Sequence, residues 1–414
     1  MRGVFRHRTA TPSGNCRGAC GSRTRHVAPM SKYLPFSRDN DLTLLYLGQN
    51  YFTALVDAID KATRDVALET YIFEADDAGQ NVSAALQRAA RRGVNVRVIT
   101  DGVGTSRRLP CFAEWREAGV QHRIYNPSLF GKFGFSRTHR KLAVVDHDVA
   151  FVGGINVIDD YNGGGGLRME HPRWDFAVQC RGPLVAEVGI AFHIQWMRLA
   201  PGYLGTPFRH RRRGQRGRLH APYAGQAAFV ARDNLHNRRA VEKAYLRALG
   251  RARHEVWLAN PYFVPGRRLR RALSKAAARG VAVHLLIGRK EFRLLDAAVP
   301  WLYAKLLDAG VHIGEYDMRQ LHGKVAVVDD VWATVGSSNL DALSLFVNHE
   351  ANVVVLDDPL VIQLRDHIRR AFGEARRIDP DRYGGRSRWR RLRQWAAYRL
   401  YRLVMKLLTR GKYD

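Results

Sequence analysis

One phrase occurs twice in this chain. Residues 139–154 read HRKLAVVDHDVAFVGG, and residues 322–336 read HGKVAVVDDVWATVG. Both follow the order His-x-Lys-x4-Asp, then an apolar run, then a glycine turn. A second pair lies upstream of the first: AALQRAARRGVNV at 84–96 and RALSKAAARGVAV at 271–283. The two pairs have offsets of 183 and 187 residues and keep the same order. A shared helix-then-strand habit would not preserve that spacing. The chain is therefore read as two homologous halves, and any fold proposed for it must be buildable twice.

Each half has an α/β pattern. In the first, 52–63 has helical apolar spacing, 66–73 reads as a strand, 81–92 as a helix closed by Gly93, and 94–100 as a strand. The second repeats this with helix 239–252, strand 255–260, helix 267–279, Gly280 and strand 281–287. Glycine just past the last helical residue is the expected C-terminal stop. Helices alternating with short apolar strands predict layered sheets covered by helices. The expected boundaries are a disordered basic segment at 1–36, a first domain at 37–204, an Arg/Gly-rich linker at 205–225, a second domain at 226–380, and a basic amphipathic helix at 381–414. The first 36 residues hold seven Lys/Arg, no acid and no apolar run typical of a secretory signal. Met30 offers an alternative start.

The repeated phrase carries chemistry. Side chains alternate faces along a strand, so His139 and Lys141 point the same way, as do His322 and Lys324. Imidazole serves as nucleophile or acid/base near neutral pH. The lysine ammonium is a point charge suited to phosphate oxygens. Packed with two-fold symmetry, the halves would bring two histidines and two lysines into one cleft. One histidine would attack phosphorus while the other protonates the leaving alcohol, and the lysines would offset charge growing on the phosphoryl oxygens.

These motifs resemble those of the phospholipase D superfamily. The turns GGIN (153–156) and GSSN (336–339) resemble that family's downstream element. The string VWATVGSSNLDALSLFVNHEANVVV (331–355) is most similar to bacterial cardiolipin synthases of the B type without transmembrane helices, and ETYIFEADDAG (69–79) and ANPYFVPG (259–266) fit that group. The resemblance covers roughly residues 40–375. It implies two α/β/α sandwich domains related by a pseudo-two-fold axis, with the active site at their interface. The catalytic set it implies is His139, Lys141, Asp146, His322, Lys324 and Asp329, the aspartates expected to hold strand ends more than to react. Asn156 and Asn339 would help hold the phosphate, and Asp175 and Glu350 would orient the histidines. The implied reaction is ping-pong phosphatidyl transfer through a phosphohistidine, with His139 as nucleophile by family habit and neither metal nor cofactor. Its implied product is cardiolipin, formed from phosphatidylglycerol. Phospholipid hydrolysis is the alternative within the fold. A nuclease is the alternative outside lipid chemistry. A dead scaffold is disfavoured by two intact His/Lys pairs.

Charge and patterning bear on the partner. Lys plus Arg number 67 against 38 acids, a formal charge of +29, which predicts an anionic partner. No apolar run reaches the 18 or so residues a bilayer span needs. Residues 386–412 read as an interfacial helix. Trp389, Leu392, Ala396, Leu400, Leu403 and Leu407 form one stripe, and arginines and lysines form another. A helix packed on the domain is the bland alternative. Leu129, Phe130, Phe133 and Phe135 form either buried loop aromatics or a lipid-side rim. The Arg-rich stretch 205–225 is a solvated linker or an anion-facing loop. The expected partners are anionic phospholipids and a membrane surface rather than a specific nucleic acid. The expected location is the cytoplasmic face of a bacterial membrane, peripherally bound. Four cysteines make no disulfide framework, and Cys16 and Cys20 near His7 and His26 give only a weak hint of metal.

Overall fold

The computed structural model describes residues 34–128, 131–202, 226–233, 237–289 and 293–408. The basic N-terminal segment with Cys16, Cys20 and Met30, the linker 205–225, and Leu129 and Phe130 lie outside the described residues.

The first sheet contains β1 (Asp41–Tyr46), β2 (Asp65–Thr70), β3 (Asn95–Asp101), β4 (Gln121–Tyr125), β5 (Leu142–Val145), β6 (Val149–Gly153) and β7 (Phe176–Arg181). Their order is β1-β7-β6-β5-β2-β3-β4. The second sheet contains β8 (Gln226–Arg232), β9 (Glu255–Asn260), β10 (Ala282–Gly288), β11 (His312–Tyr316), β12 (Lys324–Val328), β13 (Trp332–Gly336), β14 (Glu350–Leu356) and the short β15 (Arg376–Arg377). From the β8 edge it runs β8-β14-β13-β12-β9-β10-β11-β15. The seven shared strands have the same order in both sheets, so the duplication read from the sequence is a duplication of topology. In each sheet three strands are parallel and the motif hairpin is antiparallel to them.

Strands such as LAVV and KVAVV are buried along their whole length and show no polar alternation. That is the mark of a sheet covered on both faces. On the outer face of the first sheet lie the helices Leu47–Asp60, Asp77–Arg91 and Cys111–Ala118. On that of the second lie Ala240–Arg251, Arg267–Ala278 and Tyr303–Leu307. The inner faces meet each other: Leu142, Val144, Val152 and Val178 share one core with Val325, Val327, Val335 and Val353. Helices Leu184–Arg198 and Pro359–Glu374 flank this seam.

Boundaries moved where long-range groups decide them. The first helix starts at Leu47, five residues before the spacing predicts, because the distant Asp160 carboxylate accepts a hydrogen bond from the Gly48 N–H at 2.6 Å. The strand expected to reach Phe73 stops at Thr70. Phe73 leaves it to bridge Val157, with its N–H donating to the Thr105 hydroxyl. Gly93 and Gly280 do close their helices, at φ of 89° and 85°.

Candidate active site

Two of the short bridges between the halves lie beside the motifs. Thr138 pairs in parallel with His349, and Trp174 pairs in parallel with Leu321. The His139 N–H donates to the His349 carbonyl at 2.9 Å, and the His322 N–H donates to the Trp174 carbonyl at 2.9 Å. Each bridge residue stands one position before a motif histidine or a carboxylate, so the next residues on the two chains lie side by side. His139 therefore meets Glu350, Nδ1 to Oε2 at 3.0 Å. His322 meets Asp175, Nδ1 to Oδ2 at 2.5 Å. Each histidine is held by the carboxylate of the other half. With Nδ1 engaged, Nε2 of each ring is the nitrogen left for chemistry.

The packing around the crossings is complementary. A Cβ on Gly323 would come within 2.7 Å of the Trp174 ring, so glycine at the middle of the second motif makes room for the other half's tryptophan. The first motif has Arg140 there. Its guanidinium is buried in a two-point pair with Glu69, at 3.0 and 2.7 Å, and Glu69 also accepts from the Thr138 hydroxyl. Asp101 accepts the Thr138 N–H at 3.0 Å. These residues were not singled out from sequence. The signal was present: Glu69 is an acid directly following the apolar run Val66–Leu68 of β2.

The lysines fold back alongside their histidines. Lys141 Nζ donates to the His139 carbonyl at 2.7 Å, and Lys324 Nζ donates to the His322 carbonyl. Burial, with Lys324 nearby, lowers Lys141 to about 7. Burial also lowers His139, against the pull of Glu350, and takes His322 to about 3 with Lys324 helping and Asp175 opposing. Burial alone would raise Asp175 and Glu350, but the facing histidines and lysines outweigh it and hold both below the usual carboxylate range. The resting site thus pairs neutral imidazoles with ionised carboxylates.

Asn156 and Asn339 are both buried at this seam. Asn156 Oδ1 accepts the Ile72 N–H at 3.1 Å, whereas Asn339 Oδ1 has no hydrogen-bond partner. The turns before them differ. The Ser337 hydroxyl donates to Glu350 Oε2 at 2.5 Å. The matching residue is Gly154, where a Cβ would stand 2.3 Å from the Asp175 carboxylate.

Asp146 and Asp329 lie apart from the histidines. They stand at the ends of β5 and β12 away from the histidines. Each opens a tight hairpin with two consecutive positive φ angles, 51° and 58° at Asp146-His147 and 52° and 54° at Asp329-Asp330. Asp146 accepts the N–H groups of Thr63, Arg64 and Asp65, and Asp329 those of Arg253, His254 and Glu255. Partial burial raises the Asp146 carboxyl, but these donors outweigh it and hold it at about 2. Both side chains pin the motif hairpin to the chain entering the neighbouring strand. In the 128–137 loop, Phe133 stacks on Tyr125 at 4.9 Å, and the Ser136 hydroxyl donates to the Val347 carbonyl of the other half. Phe133 is thus a packed loop aromatic.

Comparison with known proteins accords with this geometry. The family described as "Cardiolipin synthase, PLD-like domain" matches residues 55–163 and 245–372. The curated Cardiolipin synthase B of Salmonella typhi is 38% identical over 370 residues, 88% of either chain. That of Escherichia coli K12 is also 38% identical over the same extent. The crystal structure of phosphatidylserine synthase from Haemophilus influenzae superposes with a TM-score of 0.65 at 16% identity, over 91% of this chain and 97% of its own, a likeness of fold. With both halves matched in sequence and the motif hairpins repeated in space, the chain belongs to the phospholipase D-like cardiolipin synthase family.

Proposed function

We propose that this chain joins two phosphatidylglycerol molecules into cardiolipin, releasing glycerol, by phosphatidyl transfer through His139. The observation that carries this is the crossed arrangement of two buried His–carboxylate pairs with two lysines between them. The Glu350 carboxylate keeps the proton on Nδ1 of His139 and leaves the Nε2 lone pair free. Nε2 attacks phosphorus, an N–P bond forms, and the P–O bond to glycerol breaks. His322 gives its Nε2 proton to the departing alkoxide. A bound anionic diester raises His322 toward protonation, against the burial that lowers it in the empty site. In the second half-reaction a hydroxyl of another phosphatidylglycerol attacks, His322 takes its proton, and the N–P bond breaks. Lys141, Lys324 and the amides of Asn156 and Asn339 offset charge on the phosphoryl oxygens.

The C-terminal helix Arg388–Leu408 supports a membrane site for this reaction. Tyr398, Tyr401 and Met405 bury one face in the core of the second half. The opposite stripe of Trp389, Leu392, Leu400, Leu403 and Leu407 is exposed, Trp389 to 81%. Among the described residues no helix is long and apolar enough to cross a membrane. The helix rests on residues 293–302, which leave the same end of β10 at which His322 precedes β12. An apolar stripe flanked by arginines on the active-site edge suits an anionic bilayer surface, met peripherally from the cytoplasmic side.

The test is product analysis by mass spectrometry on phosphatidylglycerol vesicles with EDTA present. Cardiolipin and glycerol are expected. Phosphatidic acid as the main product would replace transfer by hydrolysis, and DNA cleavage without lipid turnover would replace lipid chemistry altogether.

A further inference from the structure

The first His/Lys pair has an aromatic neighbour. Tyr71 follows β2 and enters the first site. Its ring lies edge-on to the His139 ring, centroids 5.1 Å apart, and the Lys141 ammonium lies 5.3 Å from its centre. Behind it, a Cβ on Gly104 would come within 2.7 Å of the ring and 2.4 Å of the Tyr71 carbonyl, so the backbone there is a flat rest for the phenol.

We propose that Tyr71 is a positioning residue that holds the Lys141 ammonium against its ring face and fixes the His139 imidazole at its edge. The ring's negative face attracts a cation, and most strongly where water is excluded. Lys141 is such a cation: it is buried, and it is faced by Lys324 and by His139, Glu350, Asp175 and Asp101. Burial and Lys324 push its proton off, and the ring pulls the other way. The phenol itself stays neutral, raised to about 12 chiefly by burial, so the attraction comes from the ring and not from a phenolate. The consequence is that more of Lys141 stays charged, and His139 stays aimed, before substrate arrives.

This role presupposes the phosphatidyl-transfer reading, so its test has one arm without substrate. Tyr71 is replaced by phenylalanine and by mono-, di- and trifluorophenylalanine, which keep the ring's shape and withdraw its π density stepwise. Lys141 is followed by NMR in protein labelled at lysine Cε, and phosphatidylglycerol turnover is measured in parallel. The expected result is that Tyr71→Phe behaves like the parent. Across the fluorine series Lys141 should lose its proton at progressively lower pH, by about one unit at the trifluoro ring, and kcat should fall about tenfold with KM little changed. A trifluoro variant whose Lys141 titration and kcat match those of Tyr71→Phe overturns the proposal, as does a Tyr71→Phe variant already as impaired as the trifluoro one. If no form of the protein turns over phosphatidylglycerol, the transfer reading fails while the NMR series still decides the role of Tyr71.

Discussion

At the scale of single residues, the decisive contacts are the two that run between halves. His139→Ala and His322→Ala should each reduce transfer by at least about 10³-fold, and the double variant should be no worse, since both act on one reaction coordinate. Asp175→Asn should act through His322, a residue in the other domain, with a loss of about 10²-fold or more at unchanged melting temperature. Full activity in Asp175→Asn would sever that pair from the chemistry. Protonation sets a further limit. Lys141 is held down to about 7 by burial and by Lys324, so its ammonium is present below that pH and lost above it. On vesicles kcat/KM should therefore fall as pH rises past about 7, while kcat, which reports the phosphate-bound form, should hold to higher pH. A flat kcat/KM profile to pH 9 would contradict this.

At the scale of elements, the C-terminal helix has two apolar sides with different duties. Leu403→Glu, on the exposed stripe, should leave the melting temperature unchanged and weaken binding to anionic vesicles about tenfold, the effect of withdrawing one buried leucine. Tyr401→Ala, on the packed side, should lower the melting temperature by several degrees. Vesicle binding unaffected by Leu403→Glu would remove the stripe from membrane contact. Much of the helix was legible, because its spacing at 389, 392, 396, 400, 403 and 407 is a local property. The packed face was not, because Tyr398 and Tyr401 sit in a core built largely from residues a hundred or more positions away. The same division runs through the site. His139, Lys141, His322 and Lys324 stood out by repetition, and Asp175 and Glu350 by resemblance. Tyr71, Gly323 and Ser337 matter through what they touch across the fold, which no local pattern encodes.

At the scale of the whole molecule, the inner faces of the two sheets share one core, so neither half presents a finished surface of its own. Heat should therefore unfold the chain in a single transition, with agreement between calorimetric and van't Hoff enthalpies. Two resolved transitions would show that the seam is a weak interface between independent domains. The duplication predicted the topology, but it left open which carboxylate serves which histidine, because symmetry permits pairing within a half or across. The crossed pairing also sets a clock on synthesis. His139 is made early, yet the glutamate that directs its ring comes 211 residues later. A chain still being translated carries a histidine whose Nδ1 has neither the carbonyl nor the carboxylate that will hold it. Its chemistry begins only when the second half has been completed and closed over the first.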